Sequence, residues 1–156
     1  MRRGNLQRHQ TKREPTACLS LVTLGVSDLA KSTAFYEALG FRRKSRGADG
    51  VAFFEAGGVI LSLWPTAELA KDAEIESANS GGFRGMSLAW NCTSASEVDR
   101  ALARAMGAGA TLIRSALTVF WGGYTAYFAD PDGHLWEVAH NPQFPFSAAG
   151  RLLLPD

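Results

Sequence analysis

The sequence predicts an α+β fold of two βαβββ modules that form a curved mixed sheet around a cleft. Three observations carry this. A strand-like run followed at once by a helix signal occurs twice, once in each half of the chain. Each helix signal ends at glycine, at Gly40 and again at Gly107 and Gly109. After each helix come short apolar runs broken by turn residues, the pattern of hairpins.

The elements follow in order. Leu19 to Val26 reads as the first strand, and Ser27 or Asp28 can cap the helix that follows. Along that helix Leu29, Phe35, Tyr36 and Leu39 recur at near-helical spacing. Val51 to Glu55 and Val59 to Trp64 flank Gly57-Gly58, a two-residue hairpin signal. The second half repeats the plan. Met86 to Cys92 reads as a strand, and Ser94 with Glu97 makes a capping box ahead of a helix over Val98 to Met106. Strands are expected over Thr111 to Arg114, Tyr124 to Ala129 and His134 to His140, the last two joined by Asp130-Pro131-Asp132-Gly133. One domain over residues 17–142 results, with modules at about 17–66 and 84–142. Residues 1–16 form a disordered basic leader, Ala67 to Gly82 a linker, and 143–156 an irregular tail.

Composition narrows the function classes. The 156 residues are 46% hydrophobic, enough for a sizeable core, and the net charge is +1. No global charge argues for nucleic acid. The basic residues Arg2, Arg3, Arg8, Lys12 and Arg13 crowd the leader, which has no apolar period and no aromatic residue. No segment is apolar enough to span a membrane. Cys18 and Cys92 lie in no CxxC motif and fit free thiols of a cytoplasmic protein.

Strand parity selects the site. On the last strand Leu135, Glu137 and Ala139 share one face, and Trp136 and Val138 the other. Trp136 and Val138 read as core, so Glu137 points into the cleft. A carboxylate in an apolar strand needs solvent or a partner, because bare burial costs several kcal/mol. It is either a ligand anchor or general base, or a charge absorbed by Ser87 or Ser62. Asp130, Asp132 and His134 read as a turn rather than as a triad or calcium loop.

The run from Val22 to Phe41, VTLGVSDLAKSTAFYEALGF, resembles the opening strand and helix of vicinal-oxygen-chelate proteins, the superfamily of glyoxalases, bleomycin-resistance proteins and extradiol dioxygenases. The run from Tyr127 to Val138, YFADPDGHLWEV, resembles their closing hairpin. The resemblance covers roughly residues 18 to 142. It implies that metalloenzymes of the family take one ligand from each of four strands, at positions that fall here on Leu21, Ser62, Ser87 and Glu137. Only Glu137 is a good ligand, so the expectation is no cofactor and no family metal site. Phe120-Trp121-Gly122-Gly123-Tyr124 resembles the Trp-Gly segment that lines the cleft of drug-binding members. Phe120, Trp121 and Tyr124 are therefore expected at the ligand, with Trp64, Ser62, Ser87 and Thr23 beside them. The reading is a small-molecule-binding protein for an aromatic or amphipathic ligand, acting as a homodimer. The alternatives are a metal-dependent lyase or dioxygenase with an atypical ligand set, or a metal-free enzyme using Glu137 as base.

Overall fold

The structure is a computed structural model and describes residues 17–75 and 82–155. The expected leader, at 1–16, lies outside the described residues, as does part of the expected linker.

The first module runs β1 (Leu21–Val26), α1 (Leu29–Leu39), β2 (Arg42–Lys44), β3 (Ala52–Ala56) and β4 (Val59–Pro65). After α2 (Thr66–Asp72) the second runs β5 (Leu88–Asn91), α3 (Ala95–Ala108), β6 (Thr111–Thr118), β7 (Tyr124–Ala129) and β8 (Leu135–His140). Each module makes one four-stranded sheet, in the orders β1-β4-β3-β2 and β5-β8-β7-β6. In both, the first strand pairs in parallel with the last and the other ladders are antiparallel. The two sheets are separate and are not closed into one.

Local chemistry sets the ends of the elements. The Asp28 carboxylate caps α1 by accepting from the Lys31 N–H at 3.0 Å, and Gly40 ends it in the left-handed region at φ 103°. Ser94 caps α3 through the Glu97 N–H, while Glu97 reaches back to the Thr93 N–H and hydroxyl. The reciprocal half of the capping box thus falls one residue earlier than the usual geometry. These two bonds from Thr93 hold the Glu97 carboxyl below its ordinary range.

Three elements differ from the sequence expectation. Helix α3 runs through Gly107 and stops at Gly109, the one of the two glycines with positive φ. The stretch after Pro65 is not all linker, because α2 forms there with Glu68 in its first turn and Lys71 in its last, the charges the helix dipole favours. Strand β2 is an addition: three cationic residues, Arg42, Arg43 and Lys44, carry no apolar alternation, and tertiary pairing with β3 makes them a strand.

One core serves both modules. Leu24, Val26, Leu61 and Leu63 from the first sheet, Tyr36 from α1, Ala105 from α3 and Phe128, Trp136 and Val138 from the second sheet belong to a single buried cluster. Tyr36 sits at the join, its ring edge-on to Phe35 and tilted on Trp136, with centroids 5.1 and 6.0 Å away. Its hydroxyl donates to Asp130 at 2.7 Å and accepts from the Trp136 indole N–H at 3.1 Å. Asp132 in the same turn accepts from the Ser27 N–H and the Ser27 and Ser32 hydroxyls. The DPDG segment is thus a turn whose two carboxylates clamp the modules together.

Candidate functional site

Helices α1 and α3 pack on the core faces of the sheets, and the opposite faces carry neither of them. Alternation assigns the faces. In β8 Trp136 and Val138 are core, which leaves Glu137 on the open face. In β7 Ala126 and Phe128 are core, which leaves Thr125 and Tyr127 there. The ladders place Ala89, Glu137, Tyr127 and Arg114 side by side in one row across four strands.

The polar groups of this row touch. The Arg114 guanidinium carbon lies 5.0 Å above the centre of the Tyr127 ring, and Arg114 also donates to the Thr125 hydroxyl. Burial, then the charge of Glu137 and its hydrogen-bonding approach, push the Tyr127 hydroxyl above its ordinary range.

On the first sheet the corresponding face carries Leu21, Thr23, Ile60, Phe53, Glu55 and Lys44 by the same alternation. A groove of about 500 Å³ opens over Leu21, Phe53, Ile60 and Lys44. Arg42 and Lys44 both pair with Glu55, at 3.6 and 3.5 Å, along its rim. A second cavity, of about 230 Å³, lies at the seam of the modules, where Thr23 and Gly25 of β1 meet Phe83, Arg84 and His134.

The expected site residues divide. Glu137 falls on the face opposite Trp136 and Val138, and its neighbour is Tyr127, not Ser87 or Ser62. Ser87 is exposed and donates to the Leu88 carbonyl at 3.4 Å. Ser62 lies on the other sheet and is covered, 2% exposed, between Thr23 and Phe53. Trp64 pairs with Gly25 and is half-buried on the same side as Ser62. Phe120 is fully exposed at the β6–β7 turn. Trp121 folds back over its own turn, so that a Cβ on Gly123 would lie 1.9 Å from its ring.

Tyr124 corrects the expectation of an aromatic wall with Trp121. It shares the helix face with Ala126 and Phe128, packs against the core, and donates to Asp99 of α3 at 2.9 Å. The physical reason is the two-residue period of β7: Tyr124 and Tyr127 stand on opposite faces. Sequence reasoning missed Arg114 and Tyr127. The signal for Tyr127 was available in that same period, counted back from Phe128.

The donor set does not fit a divalent ion at the four family positions. Leu21 offers no donor atom, Ser62 is covered, and Ser87 is spent on a carbonyl, which leaves one carboxylate where about three N or O ligands are wanted. No group of three His, Cys, Asp or Glu side chains able to hold a metal comes together among the described residues.

Comparison with known proteins identifies the class. Residues 19–138 match the Glyoxalase/Bleomycin resistance protein/Dioxygenase superfamily. The chain is similar to a glyoxalase-related enzyme from Fulvimarina pelagi, at 33% identity and TM-score 0.81, over 90% of this chain and 100% of that one. It is similar to a glyoxalase/bleomycin resistance protein/dioxygenase from Nocardioides at 27% identity and TM-score 0.68, over 81% of this chain and 85% of that one. A lactoylglutathione lyase from Agrobacterium tumefaciens shares the fold, at 22% identity and TM-score 0.62, over 82% of this chain and 96% of that one. No curated protein matches the chain. The chain belongs to the glyoxalase/bleomycin resistance/dioxygenase superfamily.

Proposed function

We propose that the chain is a small-molecule-binding member of this superfamily, without the family metal site, that holds an aromatic or amphipathic ligand on its open sheet faces. The observation that carries this reading is Glu137, a half-buried carboxylate beside Tyr127 on the sheet face that points away from the core. Ligand sites are mostly apolar with a few polar groups that fix orientation. Tyr127 and Ala139 offer flat or small surface around the carboxylate, and Trp121 stands at the end of the same sheet.

A homodimer completes the reading. Leu21 and Ile60 are 38% and 44% exposed on the open face of the first sheet, and Leu117 is 43% exposed on β6. Apolar positions gathered on one face mark interaction surfaces more than scattered ones do. A symmetric partner would cover them and turn open faces into an enclosed cleft. Cys18 and Cys92 are both unpaired, which supports a reducing, cytoplasmic setting. No described helix is long and apolar enough to cross a membrane.

One observation favours a second reading, a metal-free enzyme. Glu137 beside the Tyr127 hydroxyl is a proton acceptor next to a proton donor, the pair that general acid–base chemistry uses. Titration of the protein with flat aromatic compounds, read by quenching of tryptophan fluorescence, tests the binding reading. Saturable quenching that Glu137→Gln shifts in ligand preference supports it. Absence of saturable binding across acids, amides and amines of such compounds rejects it.

A further inference from the structure

We propose that Arg114 reads a carboxylate, or a like planar oxyanion, on the ligand, so that the binding site is selective for amphipathic aromatic acids. This rests on the binding reading above and adds the chemical class of the ligand.

Arg114 differs from most other cations in the described structure; Arg43, on β2 of the other sheet, is likewise half-buried without a carboxylate partner. Arg42, Lys44 and Arg46 pair with Glu55 or Glu37. Arg84 and Arg104 donate to backbone carbonyls and Arg100 to a serine hydroxyl, all at the exposed surface. Arg114 is half-buried on an open sheet face, and no carboxylate lies within ion-pair distance of it among the described residues. Its charge is therefore partly desolvated and left without a counter-charge. A partly dehydrated cation without a partner is costly unless something anionic visits it.

The group is also pre-aimed. A guanidinium carries five N–H donors in a rigid fork. One nitrogen of Arg114 is engaged by the Thr125 hydroxyl, and Thr125 itself is 2% exposed, so this anchor is fixed. The Tyr127 ring beneath the guanidinium, at 5.0 Å, holds its plane from below. The donors not engaged by Thr125 are left for a carboxylate, which matches the fork with two parallel hydrogen bonds. Little side-chain entropy remains to be lost on binding, the condition under which one ion pair adds real affinity.

The row gives the ligand a direction. Arg114 lies on β6, the outer strand of the sheet, and Glu137 two strands inward on β8. An acid group at Arg114 puts the aromatic body over Tyr127, and the far end at Glu137 is neutral or a hydrogen-bond donor. A carboxylate at both ends is disfavoured by Glu137 itself.

The test compares 2-naphthoate with 2-naphthamide on the full-length protein by tryptophan quenching and calorimetry. The two probes share size and flatness and differ in charge. The wild type is expected to bind the acid at least about tenfold more tightly, a factor that corresponds to about 1.4 kcal/mol. Arg114→Gln, which keeps a donor for Thr125, is expected to abolish that preference. Arg114→Lys should restore only part of it, because an ammonium has no fork. Equal affinities for acid and amide in the wild type, or a preference that survives in Arg114→Gln, overturn the assignment and leave the binding reading standing. Failure of both probes to bind removes both. The wild-type ratio needs no variant, so the outcome is decided even if Arg114→Gln does not fold.

Discussion

The Tyr36 hydroxyl on α1 donates to Asp130, in the turn between β7 and β8, across 94 residues of sequence. The bond joins the first module to the last hairpin of the second, inside the shared core. Its own burial, then the charge of Asp130 and the bond to it, push the phenol far above its ordinary range, so it stays protonated and donating at any working pH. Tyr36→Phe removes the donor to Asp130 and the acceptor of the Trp136 N–H together. Loss of a bond to a buried charge is worth about 1.5–3 kcal/mol. For a chain of this size that corresponds to a fall in Tm of roughly 3–12 °C. Thermal unfolding followed by circular dichroism checks this, and a variant as stable as the wild type would show the contact to be incidental.

Asp132 predicts how the protein responds to acid. Burial alone would raise its carboxyl, but the Ser27 N–H, the Ser27 and Ser32 hydroxyls and the charge of His134 outweigh it and hold the group below its ordinary 3.8. A carboxyl lowered in the folded state contributes stability that is complete above the unfolded value and disappears as pH falls through the folded one. Urea midpoints should therefore be insensitive to this group at neutral pH and should drop below about pH 4. Asp132→Asn should be less stable at pH 7 and should show a shallower acid limb. An unchanged acid limb in the variant would assign the acid response to other groups.

The two thiols should react unequally. Cys92 is buried, and that burial, with the charge of Glu97, raises its thiol to about 11. The thiolate is the reactive species, so Cys92 should be inert at pH 7.5. Cys18 is exposed. Titration with Ellman's reagent should find Cys18 alone in the native protein and Cys92 only after denaturation. Rapid native labelling of Cys92 would mean that the core opens.

The β6–β7 turn separates its aromatic residues by role. Trp121→Ala should weaken a flat aromatic ligand by about tenfold if the ring is an anchor, while Tyr124→Phe should leave affinity unchanged and cost only the bond to Asp99. Gly123→Ala should displace the indole, since the added carbon would sit 1.9 Å from the ring, and should red-shift the tryptophan emission. A ligand whose affinity ignores Trp121→Ala lies on another part of the sheet.

The proposed dimer is checked by mass in solution. Light scattering at micromolar concentration should give twice the chain mass, and Ile60→Lys, on the exposed apolar face, should shift it to one chain without unfolding it. A monomeric wild type of full stability would remove the dimer.

Much of this arrangement is legible in the sequence. Asp28, Ser94 and Gly40 set helix ends by local chemistry, and the Gly57-Gly58 hairpin has φ of 69° and 109°, values that favour glycine. Period-two alternation in β8 turns Glu137 outward because Trp136 and Val138 are too large and apolar to be left in water. What was not legible depends on pairing between distant strands. Arg114 meets Tyr127 only through a ladder whose register shifts on both sides of Arg114. A lone sequence does not state such shifts. Likewise β2 has no strand pattern of its own and exists because β3 offers it a partner.

The position of Trp136 has a consequence in time. Its contact with Tyr36 links residues 100 positions apart, and chains are made at about 5–20 residues per second. For roughly 5–20 s after Tyr36 is made, β3 and β4 can cover α1 through Phe54, Leu61 and Leu63, but the side of Tyr36 that Trp136 covers has no partner. During synthesis the seam between the modules stays uncovered until the last hairpin arrives.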